Sequence, residues 1–106
     1  MSTSEAKQAE AAVLLKTHRQ SIDDLDDQIM DLLAKRFTIV REVARIKAKN
    51  GIPSYLSDRV IEVRERNAQK GKSLGIDPEF VRMMYTLMIY QSCAEEDKLM
   101  AGHDSD

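Results

Sequence analysis

Two cations on one apolar helix face are the residues of this chain best placed to do chemistry. Between residues 22 and 46 the apolar side chains recur at alternating three- and four-residue steps: Ile22, Leu25, Ile29, Leu32, Ile39, Val43 and Ile46. Where that repeat calls for an apolar residue between Leu32 and Ile39, the chain has Arg36. A guanidinium turned towards a helical core needs an anionic partner, since an uncompensated buried charge costs roughly several kcal/mol. No Asp or Glu occupies a core position of the repeat. The partner is therefore an acidic residue from elsewhere in the fold or a bound anion. Lys47 follows Arg36 by eleven residues, which at ~100° per residue is only ~20° past three whole turns and about 16 Å along the axis. Two long cationic side chains leaning together from one face can clamp a small dianion. Arg19, seventeen residues before Arg36, stands about 25 Å away and is rotated by ~100°, too far to reach that ligand within the same chain.

The elements that must position these residues are helices. Alanine, glutamate, lysine and leucine dominate from Ala6 onward, and the pattern predicts one very long helix from about Ala6 to Lys49, with residues 1 to 5 frayed. Asn50-Gly51 followed by Pro53 ends it, because glycine accepts the left-handed closing conformation and proline cannot continue the ladder. Ser57 is the expected N-cap of a short second helix, about Asp58 to Lys70, with Val60, Val63 and Asn67 on one side. Asp77-Pro78-Glu79 is a strong start for a third helix, Pro78 to about Met100. Its apolar residues Phe80, Val81, Met84, Leu87 and Met88 give way to Ser92 and Glu96 on turns that should still face inward. Residues 101–106 are expected to be disordered, leaving a core of about residues 6–100.

One all-α domain spanning residues 1–106 is the expectation at this length. A helix of ~44 residues would be about 65 Å long, more than two short helices can bury, so the economical architecture is an intertwined homodimer of three helices per chain. Pairing the long helices also carries Arg19 of one chain to Arg36 and Lys47 of the other. Sixteen Lys and Arg against eighteen Asp and Glu are interspersed, and only five aromatic residues accompany them, which argues against a nucleic-acid surface. The polar start MSTSEAKQAE and the absence of an apolar run near ~20 residues point to a cytoplasmic protein without membrane spans. A single cysteine, Cys93, excludes an internal disulfide and a multi-thiolate metal site; it reads as a small buried side chain rather than a nucleophile.

The order Arg19-x-x-Ile22-x-x-Leu25-Asp26, then Leu32-Leu33-Ala34-x-Arg36, then Lys47, Pro53 and Arg59, resembles the all-helical class of chorismate mutase over roughly residues 18 to 98. The resemblance implies an intertwined homodimer with two equivalent sites, in which chorismate rearranges to prephenate without cofactor, metal or covalent intermediate. It implies that Arg36 and the partner's Arg19 bind the two substrate carboxylates and that Lys47 donates to the ether oxygen whose bond breaks. Arg59 would add positive potential, with Ser92 and Glu96 lining the opposite wall. Such a site works by holding the enolpyruvyl arm over the ring and by placing donors where negative charge grows.

Two departures from the mutase pattern matter, and the first widens the choice of substrate. The residue after the Arg59 position is usually Glu in the mutases, and an acid often lies one turn earlier; here they are Val60 and Leu56. The Arg-Val pairing is similar to that of the related isochorismate-pyruvate lyases, and a 4-amino substrate is a further alternative. Glu96 stands where many members have Gln; a neutral carboxyl there can donate to the ether oxygen, whereas the competing reading has it paired with Lys47. The alternative of another class is a non-catalytic helical dimerisation module, with Arg36 paired to a carboxylate of the partner and Lys47 extended to solvent.

Overall fold

The computed structural model describes residues 2–104, and every regular element within that span is a helix. These are α1 (Thr3–Leu14), α2 (Lys16–Asn50), α3 (Ser57–Ser73) and α4 (Pro78–Asp104), four rather than the three expected. The chain divides into two compact units, residues 1–36 and residues 37–106.

In the first unit, α1 opens with a reciprocal cap: the Ser2 hydroxyl accepts from the Glu5 N–H at 3.1 Å, and the Glu5 carboxylate accepts from the Ser2 N–H at 3.2 Å. This cap corrects the expected fraying from Ser2 onward; Met1 lies outside the described residues. The single long helix is also corrected, at Leu15, whose ψ of 4° leaves the helical range. Backbone bonds still run from Leu15 N to Ala11 O and from Arg19 N to Leu15 O, so the ladder bends there rather than ends. Neither Gly nor Pro marks the position. No residue of α1 is buried, so no packing holds the two segments to a straight course.

The apolar stripe of α2 forms a continuous helix as its period requires, yet it is uncovered within the chain. Ile22, Leu25, Ile29 and Leu32 are 54–64% exposed in the first unit, and Ile39 and Ile46 are 59% exposed in the second. The fully formed apolar core consists of Ala44, Ala68 and Val81, with no large side chain completely buried among the described residues.

The second unit is built where small residues let helices approach. On α3, Ala68 and Gly71 are buried, and a Cβ placed on Gly71 would lie 2.7 Å from Val81 Cγ2 of α4. Replacement of Gly71 by alanine is therefore expected to destabilise the protein by about 1–2 kcal/mol despite alanine's better helix propensity, because overpacking against a β-branched neighbour outweighs it. Thermal unfolding of Gly71→Ala, and its rescue by the added change Val81→Ala, checks this. Arg82 of α4 reinforces the same crossing through Glu65 of α3, Nε to Oε2 at 2.8 Å, and also pairs with Glu79. The hydrogen bond to Glu65 and the charges of both carboxylates raise the Arg82 pKa further above its already high ordinary value.

The helix boundaries follow the sequence signals with three shifts, the first being that α3 runs on to Ser73 rather than ending at about Lys70. Gly51 has φ 64°, and the Ile52 N–H returns to the Lys47 carbonyl at 2.9 Å, closing α2 with a Schellman bond. Asp77 Oδ1 accepts from the Glu79 N–H at 3.0 Å at the head of α4. The expected Ser57 cap is corrected: extended Leu56 takes the N-cap position without a side-chain bond, and Ser57 is the first helical residue. The expected disorder of residues 101–106 is corrected for residues 101–104, which continue α4; residues 105 and 106 lie outside the described residues.

Candidate active site

The last turn of α2 sets Lys47 against α4. Lys47, only 15% exposed at its side chain, sets Nζ 2.9 Å from Glu96 Oε1, whose side chain is 6% exposed. The same ammonium donates to the Ser54 carbonyl at 2.9 Å. Ser54 reaches α4 in turn, its hydroxyl donating to Asp97 Oδ1 at 2.5 Å, while Cys93 Sγ approaches the Ser54 carbonyl at 3.7 Å. Pro53, fixed in φ, stiffens the segment that presents Ser54. One turn before Glu96, buried Ser92 donates to the Met88 carbonyl at 2.8 Å.

Of the residues singled out in the sequence, Lys47, Ser92 and Glu96 are therefore buried or nearly so on one side of the second unit. Lys47 and Glu96 are in direct contact, as the pairing alternative for Glu96 has it. Arg59 is not brought to them: its side chain is 61% exposed and bonds Glu62 on its own helix at 2.6 Å. Val60 is half-buried and lines a cavity of about 330 Å³ together with Ser54, Cys93 and Asp97. Leu56, at 40% exposure, contributes no polar group to the turn before it. Arg19 and Arg36 belong to the first unit, Arg19 exposed and Arg36 half-buried.

The placement of Ser54 and Asp97 beside the Lys47–Glu96 pair is one that the sequence did not reveal. Ser54 and Asp97 are 43 positions apart, and no periodicity links a loop serine to a helix acid. The Cys93 thiol is pushed above its ordinary pKa, first by burial and then by the charge of Glu96, with Lys47 opposing and Asp97 adding to the rise. That thiol stays protonated near neutrality, in keeping with the small-side-chain reading and against a nucleophile. Among the described residues no cluster of His, Cys, Asp and Glu is suited to a metal ion, and no helix is long and apolar enough to cross a membrane.

A nearly buried ammonium and carboxylate in contact, flanked by the turn after α2, stand on an all-helical scaffold. The comparisons with known proteins are more specific. Residues 18–97 match the family described as chorismate mutase type II, and the chain belongs to that family. It is 30% identical to the 4-amino-4-deoxychorismate mutase of Streptomyces venezuelae over 82% of this chain and 84% of that protein. It is 29% identical to the T-protein of Enterobacter agglomerans over 74% of this chain and 21% of that protein. The bifunctional chorismate mutase/prephenate dehydratase of Escherichia coli K12 is 28% identical over 80% of this chain and 22% of its own length. The chain thus spans about a fifth of the T-protein and the bifunctional enzyme but most of the Streptomyces venezuelae enzyme.

Proposed function

We propose that this chain is a chorismate mutase, converting chorismate to prephenate by an intramolecular pericyclic rearrangement that feeds aromatic amino-acid biosynthesis. The observation that carries this reading is the Lys47 ammonium, sheltered from solvent and held at two of its three N–H groups by Glu96 and the Ser54 carbonyl. Its remaining N–H is available to the ether oxygen on which negative charge grows as the bond breaks. Family membership supplies the substrate class.

The working form in this reading is a homodimer in which Arg36 and the partner's Arg19 hold the two carboxylates. Uncovered apolar side chains along α2 support it, since a stripe more than half exposed over Ile22, Leu25, Ile29 and Leu32 is what a second helix would cover. Ser92 and Glu96 line the wall opposite the clamp, and Arg59 lends positive potential from the rim. In this reading Glu96 serves in its neutral form as a second donor to the ether oxygen. The reaction moves no proton between substrate atoms and needs no nucleophile, so orientation and placed charge supply the acceleration. A cytoplasmic location completes the reading.

A second substrate is favoured by Val60 and Leu56, which place no carboxylate beside the ring hydroxyl position, and by the Streptomyces venezuelae relative, which is named for 4-amino-4-deoxychorismate. Incubation of purified protein with chorismate, isochorismate and 4-amino-4-deoxychorismate separates the possibilities. Prephenate from chorismate at the highest kcat/KM is expected. Salicylate with pyruvate from isochorismate, or preferential turnover of the amino compound, would reassign the activity, and no turnover of any of the three would overturn it.

A further inference from the structure

We infer that Ser54 and Asp97 form a clasp that positions Lys47 for catalysis, making both of them positioning residues for a reaction in which neither touches substrate. The inference rests on the mutase reading for its catalytic consequence, while the clasp itself rests on geometry alone.

The turn from Gly51 to Leu56 grips Lys47 at both ends. At the backbone, the Lys47 carbonyl accepts the Ile52 N–H at 2.9 Å; at the side chain, the ammonium donates to the Ser54 carbonyl at 2.9 Å. The first contact belongs to the helix end and would form at many glycine-closed helices. The second depends on where residue 54 is held, and a turn of this kind has few contacts of its own. Its tether is the Ser54 hydroxyl on Asp97 Oδ1 at 2.5 Å, a short charge-assisted bond to α4. Asp97 adjoins Glu96 in sequence, so a single stretch of α4 holds the ammonium directly through Glu96 and indirectly through Asp97 and Ser54.

The consequence lies in direction as well as proximity. An ammonium has three N–H groups at fixed tetrahedral angles. With Glu96 alone as partner it can swing about that one bond. With Glu96 and the Ser54 carbonyl both engaged, rotation is stopped and the third N–H has one direction. A donor aimed before substrate arrives avoids reorganisation during the reaction, which is the source of its advantage over water. The clasp therefore contributes to kcat more than to substrate affinity, because the carboxylate clamp, which sets affinity, does not depend on it.

Cys93 supplies a test independent of turnover. It is the chain's one cysteine, half-buried, with its sulfur against the same Ser54 carbonyl. Loosening the turn uncovers it. Ser54→Ala removes the tether without changing any charge near the thiol. It is expected to lower kcat about tenfold with KM within about twofold, and to speed the reaction of Cys93 with dithionitrobenzoate several-fold, at an unchanged helical circular dichroism signal. Asp97→Ala should match it in kcat. Asp97→Asn keeps an oxygen acceptor for the Ser54 hydroxyl and should restore most of the loss. A Ser54→Ala protein with parental kcat, or with KM alone altered, overturns the positioning role, and parental thiol reactivity overturns the clasp. Should the unsubstituted chain convert no chorismate, the mutase reading fails, while the thiol rates still decide whether the clasp exists.

Discussion

Lys47→Ala is expected to reduce kcat/KM for chorismate by at least about 10²- to 10³-fold, the usual cost of deleting a donor aimed at developing charge. The same change leaves the carboxylate of the buried Glu96 side chain without its ammonium. Breaking a buried pair from one side costs about 3–5 kcal/mol, so the variant should also unfold at a markedly lower temperature. The two losses are separable. In Lys47→Ala/Glu96→Gln the orphaned charge is gone, and stability should largely return while activity does not. Glu96→Gln alone tests the role of the carboxyl group. An amide of the same shape still donates to the ether oxygen, so turnover should persist at neutral pH. Steady-state rates and thermal unfolding of the three proteins check these outcomes. An active Lys47→Ala enzyme would remove the ammonium from the mechanism, and a folded but inactive Glu96→Gln would show that Glu96 does not serve as a neutral donor.

The second large effect concerns the two arginines of the first unit. Arg19→Ala and Arg36→Ala should each lower activity by about 100-fold or more, since in the proposed reading each removes a guanidinium that binds a substrate carboxylate. If Arg19 serves the partner's site, the two inactive proteins complement each other. A mixed dimer has one site carrying both defects and one carrying neither. Random exchange makes about half of all dimers mixed, so about a quarter of the parental activity should return after mixing. Activity that stays at the level of the two parents, with exchange verified by a tagged chain, would show that Arg19 acts within its own chain or not at all.

How much of this was legible in the sequence depended on the range of the interaction. Signals confined to a few residues were read correctly: Gly51 with Pro53 ended α2, and Asp77-Pro78-Glu79 began α4. Period placed Glu96 and Ser92 inward, and both are buried. The bend at Leu15 carried no local mark, since a leucine among good helix formers differs from its neighbours only in what fails to pack on it. The Leu56 cap escaped because Ser57 has the better side chain for the role, yet the turn delivers the chain to α3 one residue early. Arg59 was placed by resemblance, and its exposed bond to Glu62 is a choice between nearby carboxylates that no motif encodes. The Ser54–Asp97 contact required the turn and α4 to meet across 43 positions, which periodicity cannot express.

The small core has a consequence for how this protein responds to denaturant. Two alanines and a valine are its buried apolar residues, and no large side chain is fully enclosed among the described residues. The dependence of unfolding free energy on urea, and the heat-capacity change on unfolding, both scale with the surface newly wetted. A lone chain with such a core has little surface to wet and should give a shallow urea slope. A steep slope, with a midpoint that climbs as protein concentration rises, would measure surface hidden between chains. For this fold, a chemical melt is thus a reading of molecularity as well as of stability.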